Sequence, residues 1–226
     1  MNKEAYLAYL EKRKHGPKVN YYQKAIDEIQ ALEEAQQKPK LLLHVCCAVC
    51  AGWPLEFLKD HFSLTLYYNN SNIYPKEVYE RRKKELICFV LEVYGVSVSM
   101  VFPAYDNVSY TKELEPMKDD PEGWERCFYC YEKRMEEAYR YATEHDYDYM
   151  TTVMSISRQK DSQKLNEIGE KLSKKYPKVK YFYSDFKKKG GQIRRDEIVK
   201  EYDLYHQDYC GCIYSYQERQ KKIGNQ

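Results

Sequence analysis

Seven of the eight cysteines fall in three tight groups: Cys46, Cys47 and Cys50 in HVCCAVC, Cys127 and Cys130 in ERCFYCYEKR, and Cys210 and Cys212 in DYCGC. Thiolates are soft ligands and good nucleophiles, so groups of this kind point to metal binding or thiol redox chemistry. Spacing alone leaves three chemistries open. A structural zinc takes four ligands, usually from two C-x-x-C knuckles, and here a single knuckle stands beside an adjacent pair and a C-x-C. Four thiolates also hold a cubane iron–sulfur cluster, which leaves thiols of this set for a further metal beside it. A metal-free dithiol exchanger needs only the C-x-x-C. The eighth cysteine, Cys88, sits between Ile87 and Phe89 in a helical pattern and reads as a small core side chain.

The elements that must position these thiols follow from periodicity. Tyr6, Leu7, Tyr9 and Leu10, then Tyr22, Ala25, Ile26, Ile29 and Leu32, recur at helical spacing, broken near Gly16 and Pro17. Residues 1–38 therefore read as an N-terminal helical extension, and 39–226 as the catalytic domain. The unbroken apolar run Leu41 to Val45 reads as a buried parallel strand ending on Cys46. Further strands are expected at 64–68, 96–102, 149–154 and 179–183. Helices are expected from Pro54 to Asp60, Pro75 to Tyr94, Cys127 to His145 and Asp161 to Tyr176, with shorter ones up to Tyr202 and after Cys212. Such alternation predicts an α/β fold with a doubly wound parallel sheet of about five strands. The acidic, Pro- and Gly-containing segment Asp106 to Trp124 reads as a mobile loop.

In sheets of this kind ligands bind beyond the carboxyl ends of the strands where the strand order reverses. There the sequence delivers Cys46-Cys47-x-x-Cys50 after strand one, Asn69 to Asn72 after strand two, and Ser155, Ser157, Arg158 and Lys160 after strand four. His44, inside a buried strand, reads as a satisfied core histidine.

The formal charge of +2 is unevenly spread: residues 1–150 carry 20 basic and 25 acidic side chains and the remainder 17 and 10, so the halves are −5 and +7. A basic C-terminal part offers charge for phosphates without making the whole chain a polyanion binder. The 25 tyrosines against 7 phenylalanines suit stacking on bases. Charges interleave through the opening MNKEAYLAYLEKRKHGPK, where a secretion signal needs an apolar stretch, and no run of about 18 apolar residues occurs. The expectation is a cytoplasmic protein with no membrane span, whose thiols stay reduced.

Taken together, HVCCAVC (44–50), NNSNIYP (69–75), ERCFYCYEKR (125–134), SISRQKD (155–161) and LYHQDYCGC (204–212) resemble the QueH family of epoxyqueuosine reductases. The resemblance spans residues 40 to 216. It implies a HUP-like α/β fold and the last step of queuosine biosynthesis, in which an epoxide on the modified wobble guanosine of a tRNA is reduced to an alkene. It also implies a [4Fe-4S] cluster beside a second, mononuclear iron, fed by an external low-potential donor of ferredoxin or flavodoxin type. On that reading Cys127, Cys130, Cys210 and Cys212 hold the cubane, and Cys46, Cys47 and Cys50 lie near the second iron. Some members of the family carry Asp where this chain has Cys50, so the second iron would have an all-thiolate shell here. Asp208 and Tyr209, flanking the C-x-C, are candidate proton donors by position. Asn70 and Asn72 are candidates for the cyclopentane hydroxyls or a base edge. Ser155, Ser157, Arg158 and Lys160 form a candidate phosphate seat. Lys187, Lys188, Lys189, Arg194 and Arg195 are candidates for the anticodon-loop backbone.

Three other readings make different demands. An ATP-dependent tRNA-modifying enzyme of the same fold needs an SGGxDS-type loop where this chain places Cys46 to Cys50. A zinc-stabilised tRNA-binding module would be colourless. A thiol oxidoreductase would hold no metal.

Overall fold

Leu41, Leu42 and Leu43 are fully buried, and the strand they build, β1 (Lys40–His44), is the centre of the sheet. The computed structural model describes residues 2–224; Met1, at the head of the expected extension, and Asn225 and Gln226, at the tail of the expected domain, lie outside them. In chain order the helices are α1 (Lys3–His15), α2 (Tyr21–Glu34), α3 (Ala48–Leu58), α4 (Lys76–Tyr94), α5 (Asn107–Leu114), α6 (Glu125–Glu144), α7 (Ser162–Lys175), α8 (Gly191–Glu201) and α9 (Ile213–Gly224). The other strands are β2 (Ser63–Tyr67), β3 (Ser99–Val101), β4 (Tyr149–Thr152) and β5 (Lys180–Tyr181). All pairings are parallel and the order is β3-β2-β1-β4-β5, the doubly wound α/β sheet the alternation predicts.

Side-chain alternation along β1 explains the layering. Leu41, Leu43 and Val45 point into a cluster with Leu55 and Leu58 of α3, Leu86 and Phe89 of α4, and Ile198 of α8. Leu42 points the other way, to Met135 and Ala138 of α6 and Leu165 and Ile168 of α7. Ala25, Ile29 and Leu32 of α2 join the first cluster, whereas α1 buries none of its residues. α1 is attached through aromatic edges, Tyr6 and Tyr9 lying 5.2 and 5.1 Å from Trp124.

Four expectations are corrected. The helix expected to open at Pro54 begins six residues earlier, at Ala48, with Pro54 in its interior. Proline at that place costs a hydrogen bond to the Cys50 carbonyl, but seven residues of α3 are buried and packing overrides the local preference. The segment Asp106 to Trp124 is not a bare loop. Asp106 caps α5 by accepting from the Ser109 N–H at 3.0 Å, and Tyr110 and Leu114 are buried. Arg126 then ties the following turn to α6 through the carbonyls of Lys118 (2.7 Å) and Asp120 (2.6 Å). Cys88 is exposed, on the outer face of α4. β4 ends at Thr152 and turns into a 3-10 segment, Val153–Ile156, in place of a strand to Met154.

Candidate metal centre

β1 and β4 are the neighbours at which the strand order reverses, and parallel strands bring their carboxyl ends to one edge. Past His44 one more ladder bond, Val45 N–H to the Tyr67 carbonyl (3.0 Å), holds the backbone before it enters α3 with Cys47 as N-cap. The Sγ atoms of Cys46, Cys47 and Cys50 lie within 4.8 Å of one another, the one such trio of ligand atoms among the described residues. Cys46 and Cys47 are 3.9 Å apart at sulfur. Hydrogen bonds from the Cys47 and Cys50 thiols hold Cys46 well below the ordinary thiol range. The same sharing keeps protons on its two neighbours, with Cys50 pushed up to about 12.

A second group forms from two more segments. Cys127 and Cys130 share one face of the first turns of α6; the Gly123 N–H donates to Cys127 Sγ at 3.2 Å and the Tyr110 hydroxyl to Cys130 Sγ at 3.2 Å. Cys210 and Cys212 flank Gly211, whose φ of +112° a side chain would resist. α4 and the turn before it hold this loop. The Tyr74 N–H donates to the Gly211 carbonyl at 2.7 Å, Glu85 accepts from the Tyr205 N–H at 2.6 Å, and Arg81 lies 3.5 Å over the Tyr205 ring. The Ser215 hydroxyl meets Cys212 Sγ at 3.4 Å. Burial pushes Cys127 up to about 12 and Cys210 up to about 11, and the charges of the other thiolates of this group add to both.

Three cations face these thiols without a carboxylate partner among the described residues. Arg134, 3 % exposed, donates to Asn70 Oδ1 (2.6 Å) and the Asn69 carbonyl (3.4 Å). Burial works against its charge, but thiolates at Cys130, Cys46 and Cys210 hold it on. Lys160 is treated likewise by Cys210, Cys46 and Cys50, and buried Arg82 by Cys47, Cys46 and Cys50. A side chain on Gly211 would sit 3.2 Å from Arg82 Nη1, so the glycine also lets this guanidinium approach. Buried cations of this kind are costly unless anions lie opposite them. Seven thiols that can ionise, in a tight trio and a wider quartet, with cations set against them, are a donor set that fits metal.

Of the residues singled out in the sequence, the seven cysteines and Lys160 come together here. Asn70 is buried with both ends of its amide in use, on Arg134 and on the Val45 carbonyl (2.8 Å). Asn72 is buried with its Oδ1 unpartnered. Ser155 is fully buried against Ser184 (2.9 Å), and Ser157 accepts from the Gln159 N–H at 3.3 Å. Arg158 reaches Gln192 (2.7 Å) and Asp196 (3.3 Å). Arg194 is forked on Glu56 at 2.8–3.1 Å, and Arg195 on Asp196. Asp208 and Tyr209 line a cavity of about 290 Å³ together with Cys210. Asp208 is held ionised by Arg219 at 2.6 Å, and Tyr209 by burial keeps its proton. His44 is the satisfied core histidine expected: Nε2 donates to the Asn69 carbonyl (3.3 Å), Nδ1 accepts from Thr152 (2.8 Å), and burial lowers it to about 3. Arg82, Arg134, Tyr110 and Ser215 escaped the sequence reading. Arg134 follows Cys127 and Cys130 at helical spacing, and Arg82 interrupts the apolar stripe Tyr79, Leu86 and Phe89, so both signals were present.

No described helix is long and apolar enough to cross a membrane. The family model for epoxyqueuosine reductase QueH matches residues 41–218, from β1 into α9. An epoxyqueuosine reductase QueH from Streptococcus pyogenes serotype M1 is 36% identical over 201 residues, covering 88% of this chain and 78% of that protein. Its namesake from Haemophilus influenzae is 35% identical over 193 residues, 85% and 78% of the two chains, and that from Thermotoga maritima 29% identical over 185, 80% and 93%. With the match running from the first strand of the sheet through every cysteine of the centre, this chain belongs to the epoxyqueuosine reductase QueH family.

Proposed function

We propose that this enzyme reduces the epoxide of epoxyqueuosine at the wobble position of tRNA to the alkene of queuosine, in the cytoplasm, as the last step of queuosine biosynthesis. The observation that carries the reading is the Cys46, Cys47 and Cys50 trio at the end of β1, with Arg134 and Lys160 held charged by sulfurs of both this trio and the Cys130 and Cys210 group. Removing the epoxide oxygen as water takes two electrons and two protons, and no amino-acid side chain supplies such electrons. When bound, a [4Fe-4S] cluster on Cys127, Cys130, Cys210 and Cys212 would supply electrons from a ferredoxin- or flavodoxin-like donor, and an iron on Cys46, Cys47 and Cys50 would supply Lewis acidity. The tight trio suits one ion and the wider quartet a polynuclear cluster, whose ligands sit at separate corners.

The chain's own residues do the rest. Arg82, Arg134 and Lys160 offset the negative charge of the ionised thiols, and the Tyr110 and Ser215 hydroxyls fix Cys130 and Cys212. Tyr209 carries its proton beside Cys210 and takes the proton-donor role; Asp208, ionised by Arg219, anchors the loop. Asn72 Oδ1 lacks a donor that a substrate hydroxyl can provide. Arg158 and Lys160 border the larger cavity and take the phosphate role.

The test is anaerobic purification with iron, zinc and acid-labile sulfide analysis, a visible spectrum, and an assay on epoxyqueuosine tRNA. Brown protein with about four or five irons and four sulfides and turnover to queuosine are expected. Colourless protein holding zinc alone after anaerobic handling, with no turnover, would sink the reading.

A further inference from the structure

A cavity of about 550 Å³ opens between the α1–α2 segment and the loops that follow β4 and β5. Its volume is that of a site for one or two nucleotides. Nine basic and three acidic side chains line it, in a chain whose net charge is only +2. Four of the nine are paired: Arg13 with Asp161, Arg158 with Asp196, Lys164 with Glu167 and Lys187 with Asp185. Among the described residues Lys12, Lys18, Lys160, Lys188 and Lys189 have no carboxylate partner. Lys160 is matched by the thiols; the exposed Lys12, Lys18, Lys188 and Lys189 leave a positive potential around one concavity that favours a polyanion. Tyr9 and Tyr22 add ring surface to the same wall.

The N-terminal wall is fixed in place. Gln163, in the first turn of α7, exchanges two hydrogen bonds with the backbone of Val19, both 2.9 Å, and Tyr9 donates to Asp161 at 2.9 Å. This wall, residues 9 to 22, lies outside the matched stretch 41–218, and Lys160 joins the cavity to the thiols. We infer that the α1–α2 segment is an RNA-binding wall: Lys12 and Lys18, facing Lys188 and Lys189 across the cavity, grip backbone phosphates of the single-stranded anticodon loop while its reacting nucleotide approaches Lys160. The inference rests on the proposed reductase reading for the identity of the RNA, but its test needs no epoxide.

Binding of a fluorescent anticodon stem-loop with unmodified guanosine is titrated against the iron-loaded protein at several salt concentrations. For Lys12→Gln/Lys18→Gln, with unchanged melting temperature and iron content, binding at low salt should weaken about three- to ten-fold and the log–log salt slope should fall by about 1.4, or about 0.7 per lost single-strand phosphate contact. Lys188→Gln/Lys189→Gln should do the same. If only the second pair weakens binding, the RNA passes outside the N-terminal wall and the inference is wrong. A duplex competing as well as the loop would equally overturn it. Intact loop binding with no turnover on epoxyqueuosine tRNA would instead count against the reductase reading and leave the wall standing.

Discussion

Tyr209 and Asp208, the two residues proposed as proton donors, are set in opposite protonation states by their neighbours. Both border the cavity at Cys210, but Arg219 strips the proton from one and burial keeps it on the other. Tyr209→Phe is therefore expected to lower kcat by about 10²–10⁴, the usual worth of a positioned acid, with iron content unchanged; Asp208→Asn should keep turnover within about tenfold of wild type. Equal losses in both variants, measured in single-turnover assays, would return the role to the carboxylate. Arg134 gives a second prediction. In the metal-loaded protein Arg134→Met leaves thiolates and Asn70 Oδ1 without their cation and should cost about 3–5 kcal/mol, read from thermal melting. At this scale the sequence was informative about ligands and poor about their surroundings. Cysteine spacing advertises itself, whereas Arg82 and Arg134 sit in runs, RRKKE and EKRMEE, that look like solvated helix faces until burial is known. Burial also sorts the tyrosines, which the sequence could not: Tyr68, Tyr139 and Tyr181 are core residues, while Tyr9 and Tyr22 line a cavity.

Helices and strands carry these side chains to their places, and small residues decide how closely they pack. A Cβ on Gly169 of α7 would lie 2.3–2.4 Å from the ring atoms of Tyr181 on β5. Gly169→Ala should cost about 1–3 kcal/mol, a melting shift of roughly 2–4 °C per kcal/mol for a chain of this size; an unchanged melting curve would mean that the ring moves freely. On the other side of α7, Lys175 hydrogen bonds to Glu136 of α6 and holds its carboxyl below the ordinary range. The native state thus binds that proton less tightly than the unfolded one. The contribution is complete above the unfolded carboxylate range, about pH 4.3, and is lost as pH falls through the lower native value. Lys175 is exposed, so solvent and salt screen the pair and its contribution is small. Glu136→Gln should slightly flatten the dependence of melting temperature between about pH 5 and 3, in about 0.1 M salt. The alternation of β1, β2, β4, α4, α6 and α7 was legible because each obeys its own period. The start of α3 was not, since Pro54 signals a helix start and only the buried Ala48, Val49 and Ala51 reveal that the helix had already begun.

Over the whole molecule, the C-terminal loop is the one stretch of the thiol centre that the core does not hold, since β1 and α6 already pack on each other through Leu42, Met135 and Ala138. α9 buries one residue, Ser215, and the Cys210–Cys212 loop depends on a handful of contacts to α4 and the turn before it. Metal bound there would close long loops, and its binding energy would become folding energy for the tail. Chelation under anaerobic conditions should expose Arg219 and Lys221 to trypsin at least tenfold faster, while amide exchange in β1, β2 and β4 stays slow. Equal cleavage with and without metal would show that protein contacts alone secure the tail. The charge asymmetry seen in the sequence finds its place at this scale too: basic residues of the C-terminal half gather with Lys12, Arg13 and Lys18 around one cavity. What the sequence did not disclose was the meeting of the N-terminal segment with the loops after β4 and β5 there, a tertiary fact set by how the α1–α2 segment docks on the start of α7.

Drawing the proposed ligands from distant stretches of the chain would also impose an order in time. During translation Cys46, Cys47 and Cys50 leave the ribosome long before Cys210 and Cys212. At roughly 5–20 residues per second the wait is on the order of ten seconds. Cys127 and Cys130 arrive about halfway through it, and until its end the nascent chain carries thiols whose partners Cys210 and Cys212 do not yet exist. A metal could thus enter the complete site only once Cys210 and Cys212 have emerged, and the first trio must stay reduced until then.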